Sequence, residues 1–181
     1  MLIRAKNNRQ VELRKLRPED YDRLCDYFRH LQYETTRRYG PHAFGKQDIA
    51  EIYGSTNLHK GYIAIDIESS GVIAYAIIRQ GYIEHDGNRL QSYGLTLNHD
   101  TDCTYAPSVA DAWQSQGIGN SMFKFILNDL KLSGIKRVIL WGGVQADNHK
   151  AVNFYRKNGF VTLGEFEYNG WNYDMIVTIT S

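Results

Sequence analysis

Strand and helix patterns alternate from residue 103 to residue 166, and this alternation is the strongest guide to the fold of the chain. The helical pattern in the middle is clear, because Ile118, Met122, Ile126 and Leu130 recur every four residues and give one broad apolar face. The order is strand, helix, strand, helix, strand over residues 103–109, 117–132, 138–141, 147–157 and 160–166. Such alternation is typical of an α/β domain.

The remaining chain adds strands and two further helices. Strand patterns cover residues 11–13, 61–67, 72–78 and 173–179, and helix patterns begin at Pro18 and near Gln47. The run Val72–Ile78 is almost entirely apolar, so we expect a central strand that is buried on both faces. Asp86-Gly87 predicts the tip of a hairpin whose return strand covers residues 89–97. Asn169-Gly170 predicts the turn between the last two strands.

Composition indicates one ordinary globular domain. The chain has 181 residues, of which 43% are hydrophobic and 23% charged, and this favours a single domain over residues 1–181. The 21 basic and 20 acidic residues leave a net charge of +1, so we expect no nucleic-acid or membrane partner. No apolar run resembles a membrane span or a secretory signal. Because Cys25 and Cys103 are too few for a disulfide framework, we expect a cytoplasmic location.

A glycine-bearing loop joins the strand at 103–109 to the following helix. Its sequence runs from Asp111 to Gly119 and includes Gly117. Free amides in the first turn of a helix, together with the helix dipole, favour an anion, and glycine lets phosphate oxygens approach the backbone. A dinucleotide fingerprint fails because Met122 stands where the third glycine belongs, and the Gly-Lys-Ser/Thr of a P-loop is absent. Alternatively, both glycines serve only close packing of the helix on the sheet.

A second cluster of polar residues lies on the helix over residues 147–157. Asn148 and Tyr155 are seven residues apart, so they share one helix face about two turns apart. A thin ligand could lie along the smooth stripe between them. Alternatively, Asn148 only caps the helix and Tyr155 is a core tyrosine.

Together, the two clusters resemble the GNAT superfamily of acetyl-CoA-dependent N-acetyltransferases. The hallmark Gln/Arg-x-x-Gly-x-Gly/Ala is matched by Gln114, Gly117 and Gly119. The following family elements are matched in order and spacing by Asn148, Ala151, Tyr155, Gly159 and Phe160. Three residues depart from the common pattern, namely Ser115 and Asp111 in the loop segment and Pro107 in the strand before it.

The resemblance implies a mixed α/β fold. Its sheet would be mostly antiparallel, with about six to eight strands flanked by about four helices. The cofactor-binding core would cover residues of about 101–166, and a strand would be splayed and bulged near Pro107–Val109, where it admits the pantetheine arm.

The resemblance also implies an N-acetyltransferase that moves an acetyl group from acetyl-CoA to a primary amine by direct attack, without a metal. The acceptor would be a small molecule, a peptide or a protein, and a homodimer is left open. Tyr155 would act as the general acid on the leaving thiolate. The cofactor would be held by Val109, Gln114, Gln116, Gly117, Ile118, Gly119, Asn120 and Asn148. A CoA-binding module with little catalysis, and an α/β domain unrelated to CoA, remain alternatives.

The general base and the acceptor pocket are left open by the sequence. Candidates for the base are Glu84, His85, Asp102 and Asp111, each of which could equally be a solvated surface group. The acceptor pocket could be walled by Tyr33, Tyr39, His42, Phe44, Tyr168, Trp171 and Tyr173, or these side chains could simply cover the ends of the sheet. His99, Asp100, Asp102 and Cys103 have a metal-like composition, but alternate residues of a strand face opposite ways, so we expect no metal site.

Overall fold

The computed structural model describes residues 1–180 and contains nine strands and six α-helices. The strands are β1 (Leu2–Arg4), β2 (Gln10–Lys15), β3 (His59–Asp66), β4 (Val72–Gln80), β5 (Asp102–Val109), β6 (Arg137–Leu140), β7 (Val144–Gln145), β8 (Val161–Glu167) and β9 (Trp171–Thr178). The helices are α1 (Tyr21–Arg29), α2 (Tyr33–Thr36), α3 (Lys46–Ser55), α4 (Glu84–Ser92), α5 (Ile118–Leu132) and α6 (His149–Lys157). Short 3-10 turns lie at Pro18–Asp20 and Asp111–Trp113.

The chain divides into two compact units. The first unit contains Met1–Ile78 and Ala106–Ile126, and the second contains Arg79–Tyr105 and the chain from Leu127 onward. The chain therefore passes from one unit to the other within β4, β5 and α5.

In the first unit the strands lie in the order β1, β2, β3, β4, β5. β2 pairs antiparallel with both neighbours, Val11 lying opposite Ile3 and Leu13 opposite Ala64. α1 is amphipathic and buries Leu24 and Phe28, while its polar residues face outward. The fully buried Leu13, Leu24, Ile49, Ile63 and Ile77 form part of the core of this unit.

A buried carboxylate fixes the start of α1 to β2. Asp20 is fully buried and accepts hydrogen bonds from both terminal nitrogens of Arg14, at 2.5 and 2.8 Å, and one from Arg23. Two guanidinium groups thereby compensate the burial of one charge, and they hold the pKa of Asp20 below its ordinary value against the opposing effect of desolvation.

In the second unit β5 pairs in parallel with β6, and β6 pairs antiparallel with β9. β9 also pairs with β7 and β8. α5 supplies the crossover connection that a parallel pair of strands requires. The β8–β9 hairpin turns at Asn169 and Gly170, whose φ angles of 50° and 104° fit the predicted Asn-Gly turn.

The predicted hairpin at Asp86-Gly87 is wrong, because this segment is helix α4. The helical spacing lets Arg89 pair with Asp86 at 2.7 Å, and it places Leu90, which is 1% exposed, in an apolar cluster with Ile139 and Ile176. Gly87 is helical, and a Cβ there would lie 3.3 Å from the Tyr82 ring. This glycine therefore serves close packing rather than a turn.

The mixed α/β class with a mostly antiparallel sheet is confirmed, as are the other strands and helices that the sequence predicts. The numbers of elements are higher than expected, because β1, α2 and β7, which have two to four residues, were not predicted and because helix α4 replaces the predicted hairpin. Such short elements carry no usable period in the sequence. Among residues 1–180, no helix has both the length and the apolar composition needed to cross a bilayer.

Candidate active site

The loop between β5 and α5 reverses direction with two left-handed residues. Ser115 has φ 64° and Gly117 has φ 85°. Glycine adopts this conformation freely, whereas at a residue with a Cβ it costs about 1–2 kcal/mol. The strain at Ser115 shows that the surrounding contacts dictate the path of the loop.

Consecutive amides of this loop are left without acceptors. The backbone N–H groups of Ser115, Gln116, Gly117, Ile118 and Gly119 donate to no oxygen atom among residues 1–180. Ile118 begins α5, so part of this row coincides with the positive end of a 15-residue helix. The row of amides can bind an anion such as a pyrophosphate.

Two side chains of the loop brace it rather than face outward. The Gln114 side-chain amide donates to the Val109 carbonyl at 3.2 Å and lies 3.4 Å from Asp111 Oδ1. Asp111 in turn accepts from the Gln32 amide at 3.0 Å and the Thr35 hydroxyl at 2.7 Å. The Gln114 side chain thus stabilises the loop from within. It lies next in sequence to the amides with which it was predicted to bind the cofactor. Asn120, also a predicted cofactor residue, lies in the first turn of α5 and is exposed.

The pairing of β5 with β6 stops halfway along β5. The parallel pairs run without a register shift from Asp102 opposite Arg137 to Tyr105 opposite Leu140. The Trp141 amide makes the last bond, to the Tyr105 carbonyl at 3.0 Å. Within the paired part no bulge is present.

Tyr155 lies on α6 in the second unit and is 8% exposed. Its ring packs edge-on against Phe154 and Phe160, with centroids 5.2 and 5.3 Å away. Burial raises the pKa of Tyr155, so the phenol stays protonated at neutral pH. The hydroxyl has no hydrogen-bond partner among residues 1–180. Tyr155 can therefore donate its proton to an incoming group.

Asn148 is the N-cap residue of α6, which is one of the two roles that the sequence left open for it. Its side-chain oxygen accepts from the Ala151 amide at 3.2 Å. This bond satisfies one of the free N–H groups at the start of the helix.

An aromatic cluster in the first unit surrounds Phe28. The rings of Phe44, Tyr75, His42 and Tyr39 lie with their centroids 4.2, 5.4, 5.7 and 6.5 Å from that of Phe28. Three of the predicted wall residues thus come together, whereas Tyr33 is 75% exposed. Two hydroxyls connect the cluster with β5: Tyr27 donates to Ser108 at 2.8 Å and Tyr39 donates to the Ala106 carbonyl at 3.3 Å.

Within this region, three side chains form a directed chain of hydrogen bonds. His42 Nδ1 lies 2.6 Å from the Ala43 carbonyl, which can only accept, so Nδ1 carries a proton. Burial lowers the pKa of His42, so the imidazole is neutral at pH 7 and Nε2 accepts from the Tyr75 hydroxyl at 2.8 Å. Tyr75 then accepts from Tyr53 at 2.5 Å. Chemically, the chain can carry a proton from Tyr53 to His42.

A cavity of about 260 Å³ opens at the Tyr53 end of this chain. Its lining contains Lys15, Leu16, Pro18, Tyr21, Tyr53, His59, Lys60 and Gly61. A Cβ at Gly61 would lie 2.8 Å from the Tyr53 hydroxyl, so the missing side chain leaves room for that hydroxyl at the cavity.

The four candidates for the general base differ in environment. Glu84 lies 3.2 Å from His99, and the side chain of His85 is 80% exposed. Asp102 is buried and binds Arg137 at 2.6 and 3.0 Å, and Asp111 is engaged as described above. No group of three or more potential metal-binding side chains occurs among residues 1–180. Of the remaining wall candidates, Tyr168 and Trp171 are exposed and Tyr173 is half-buried.

Sequence reasoning missed Tyr53, Tyr75 and Phe28 as neighbours of His42. One signal was present, because Tyr75 is the single side chain with a hydrogen-bonding group in the apolar run Val72–Ile78. Phe28 lies on the apolar face of α1, so its position indicated only a core residue. Its stacking on Phe44 could not be predicted, because the segment that contains Phe44 shows no helix or strand periodicity.

Comparisons with known proteins place this geometry in a family. The sequence profile of the acetyltransferase (GNAT) family matches residues 21–160. Mycothiol acetyltransferase of Corynebacterium efficiens is 32% identical over 77 residues, which are 41% of this chain and 25% of that protein. The chain thus spans about a quarter of the length of this curated relative.

Solved structures share the fold at low sequence identity. The GNAT domain of S. lividans PAT superposes with a TM-score of 0.75 at 16% identity, over 98% of this chain and 96% of that one. Spermidine N-acetyltransferase from Vibrio cholerae, in complex with CoA and spermine, gives a TM-score of 0.66 at 17% identity, over 93% and 95% of the two chains. With the family profile covering most of its length, the chain belongs to the acetyltransferase (GNAT) family.

Proposed function

We propose that this protein is an N-acetyltransferase that moves an acetyl group from acetyl-CoA to a primary amine by direct attack of the amine on the thioester. The observation that carries the proposal is the row of free amides from Ser115 to Gly119 at the start of α5. Membership of the GNAT family favours acetyl-CoA as the ligand of this anion site. One domain over residues 1–181 would perform the reaction.

The residues of the loop fit the phosphate groups of CoA. Gln116, Gly117, Ile118 and Gly119 would donate their amides to the pyrophosphate, with Asn120 following in the same turn. A Cβ at Gly117 would meet nothing within 4 Å, so the space above this residue is open to a ligand. Gln114 would act by holding the loop, Val109 would pair with the pantetheine arm through its backbone, and Asn148 would fix the start of α6.

Tyr155 would act as the general acid. Acetyl-CoA supplies an activated acetyl thioester when it is bound. The leaving thiolate needs a proton, and the Tyr155 phenol holds one that no other group shares. Because its pKa is raised, Tyr155 is fully protonated at neutral pH and can act as a proton donor.

The acceptor would be an amine of a small molecule, a peptide or a protein. An amine with a pKa of about 10 is mostly protonated at pH 7, so a proton must leave before attack. The Tyr53–Tyr75–His42 chain is suited to accept it, because it leads from a cavity to a neutral imidazole. The reaction would take place in the cytoplasm, without a metal and without a nucleic-acid or membrane partner. A homodimer is compatible with it.

Thermal unfolding with four ligands in parallel tests the cofactor. A ligand at about 100 times its Kd adds about 2.7 kcal/mol, or roughly 5–11 °C in Tm at this chain length. We expect this rise with acetyl-CoA and CoA and no rise with ATP or NAD. The absence of a rise with either CoA species would refute the proposal.

Transfer is then tested by release of the CoA thiol. Acetyl-CoA is incubated with spermidine, with free amino acids and with a lysine-containing peptide in separate reactions. Release above the rate without an amine identifies an acceptor class. Binding of CoA without release for any amine would favour a CoA-binding module over an enzyme.

A further inference from the structure

The turn between β1 and β2 touches the phosphate loop directly. The Lys6 amide donates to the Gln116 carbonyl at 3.1 Å. The N–H group of Gln116 itself has no acceptor among residues 1–180. The turn therefore binds the carbonyl of a residue whose N–H remains available to an anion. A residue far away in sequence thereby becomes a neighbour of the anion site.

Arg9 fixes this turn against the loop. Its guanidinium lies over the Trp113 ring, 5.1 Å from the ring centroid. The same group pairs with Asp66 at 2.5 Å and with Glu68 at 3.1 Å, and the Asp66 side chain is only 1% exposed. Because a planar guanidinium can stack and form ion pairs at once, Arg9 holds both the turn and Trp113 in place.

The loop itself provides no positive side chain. Residues 90–123 contain neither lysine nor arginine, and Asp111 adds a negative charge. CoA carries a pyrophosphate and a 3′-phosphate, so its binding benefits from a cation close to the amides. Arg9 is already neutralised by two carboxylates.

Lys6 is a cation in the same turn that no carboxylate of the described residues neutralises. Its side chain is exposed and forms no ion pair or hydrogen bond with residues 1–180. The Gln116 carbonyl that the Lys6 amide contacts and the Gly117 N–H, one of the free donors, belong to one trans peptide group, so they lie on its opposite edges. A flexible four-carbon stem can carry the ammonium from there to an anion held by the loop.

We propose that Lys6 binds a phosphate group of CoA and that Arg9, stacked on Trp113, positions the turn that presents it. The inference rests on the proposed function. It assigns part of the cofactor site to the N-terminal turn, 108 residues before the loop glutamine Gln114 that the family motif contains. The ligand chemistry is a phosphate, and either the pyrophosphate or the 3′-phosphate can supply it.

Calorimetric titration with CoA and with 3′-dephospho-CoA tests the role of Lys6. For Lys6→Gln we expect a Kd for CoA about 3- to 10-fold higher than in the wild type. An equal loss with 3′-dephospho-CoA assigns the pyrophosphate, whereas a loss with CoA alone assigns the 3′-phosphate. Lys6→Arg should restore most of the affinity, because it keeps the charge. Unchanged affinity of Lys6→Gln for both ligands overturns the proposal.

Lys131→Gln is the matched control. Lys131 is an exposed lysine in the last turn of α5, so this variant removes the same charge from the chain. We expect its Kd values to equal those of the wild type, and a loss as large as that of Lys6→Gln would overturn a local role. If the wild type binds neither ligand, the proposed function fails, and if it binds both without a contribution from Lys6, only the present inference fails.

A double-mutant cycle tests the positioning role of Arg9. Arg9→Lys keeps a cation beside Asp66 but loses the planar group over Trp113. If Arg9 acts through Lys6, this change weakens CoA binding in the wild type and has a smaller effect in the Lys6→Gln background. Strictly additive losses would overturn the positioning role, and unfolding curves of each variant show whether the fold is retained.

Discussion

The phenol of Tyr155 shows how a single residue can be buried and yet available. Its ring fills space between Phe154 and Phe160, as a core tyrosine does, while its hydroxyl remains without a partner. Such an arrangement is typical of a site that a ligand completes.

Replacing Tyr155 with Phe should separate chemistry from binding. We expect turnover to fall by about 10²- to 10⁴-fold, because in the proposed reaction the leaving thiolate would lose its proton donor. The Kd for acetyl-CoA should change little, since the ring is retained. Steady-state release of the CoA thiol and calorimetric titration measure the two quantities. Tyr33→Phe, at an exposed tyrosine, should leave both unchanged, and an equal loss of affinity and turnover in Tyr155→Phe would identify a packing residue instead.

His42 should make the stability of the fold depend on pH. Burial lowers the pKa of His42 below its ordinary value of 6.5. Around and below pH 6.5, His42 therefore binds a proton more readily in the unfolded chain than in the folded chain. The free energy of unfolding should therefore fall as the pH decreases from 7 to 5. In His42→Gln this part of the decrease should be absent.

Urea unfolding at pH 5, 6 and 7 measures this effect. His85→Gln is the control, because the side chain of His85 is 80% exposed and the variant should follow the wild type. Identical pH dependence in His42→Gln and the wild type would contradict the assignment of a neutral His42.

At the scale of elements, the turn into α5 depends on one backbone conformation. Gly117 has φ 85°, and no atom lies within 4 Å of the position that a Cβ would occupy. The effect of Gly117→Ala thus comes from the backbone and from the ligand rather than from a clash in the protein. We expect a loss of about 1 kcal/mol in stability, because alanine disfavours the left-handed region. CoA affinity should fall as well, since in the proposed site the new methyl group would occupy the space that the phosphate approaches.

Gly94→Ala provides a closely matched control for this change. Gly94 follows α4, has φ 83° and also has no atom within 4 Å of a Cβ position. We expect the same loss of stability with no change in the Kd for CoA. If both variants bind CoA as the wild type does, Gly117 has only a structural role.

Helix α4 is fastened to β9 by a buried ion pair. Arg89 donates to Asp174 at 2.7 and 3.2 Å, and the Asp174 side chain is 1% exposed. Arg89→Met should lower the free energy of unfolding by about 3–5 kcal/mol, because it removes the cation that pairs with the buried carboxylates of Asp174 and Asp86. Arg29→Met removes an exposed pair with Asp26 and should cost at most about 1 kcal/mol. Urea unfolding of both variants checks the difference, and equal losses would contradict it.

Helix α4 is also the element that the local sequence pattern predicted wrongly. Asp86-Gly87 carries the signal of a hairpin turn, but Leu90 packs against Ile139 and Ile176 and Arg89 pairs with Asp174, and these partners lie far away in the sequence. In contrast, α5 was predictable from its apolar repeat of four residues, and β4 from the short apolar run Val72–Ile78, which is rich in β-branched residues.

At the scale of the whole molecule, charge acts locally rather than globally. The net charge of +1 gives no general attraction for an anionic cofactor. In the proposed site, the attraction would therefore come from individual groups, namely the amides of the loop and the side chain of Lys6. Chain topology achieves this by placing the turn after β1 beside a loop more than one hundred residues later.

The sequence by itself determined the α/β class, most of the regular elements and the position of the glycine loop, because periodicity, helix caps and turn residues act over a few neighbouring positions. It also identified Gln114, Gly117 and Tyr155 as candidate site residues, because their spacing matches the motifs of a known family. Only the tertiary structure decided that Gln114 braces the loop, that Lys6 lies next to Gln116, and that His42, Tyr75 and Tyr53 form one chain. These contacts join segments without a common period, and they exist only once the strands have been ordered and the apolar faces buried.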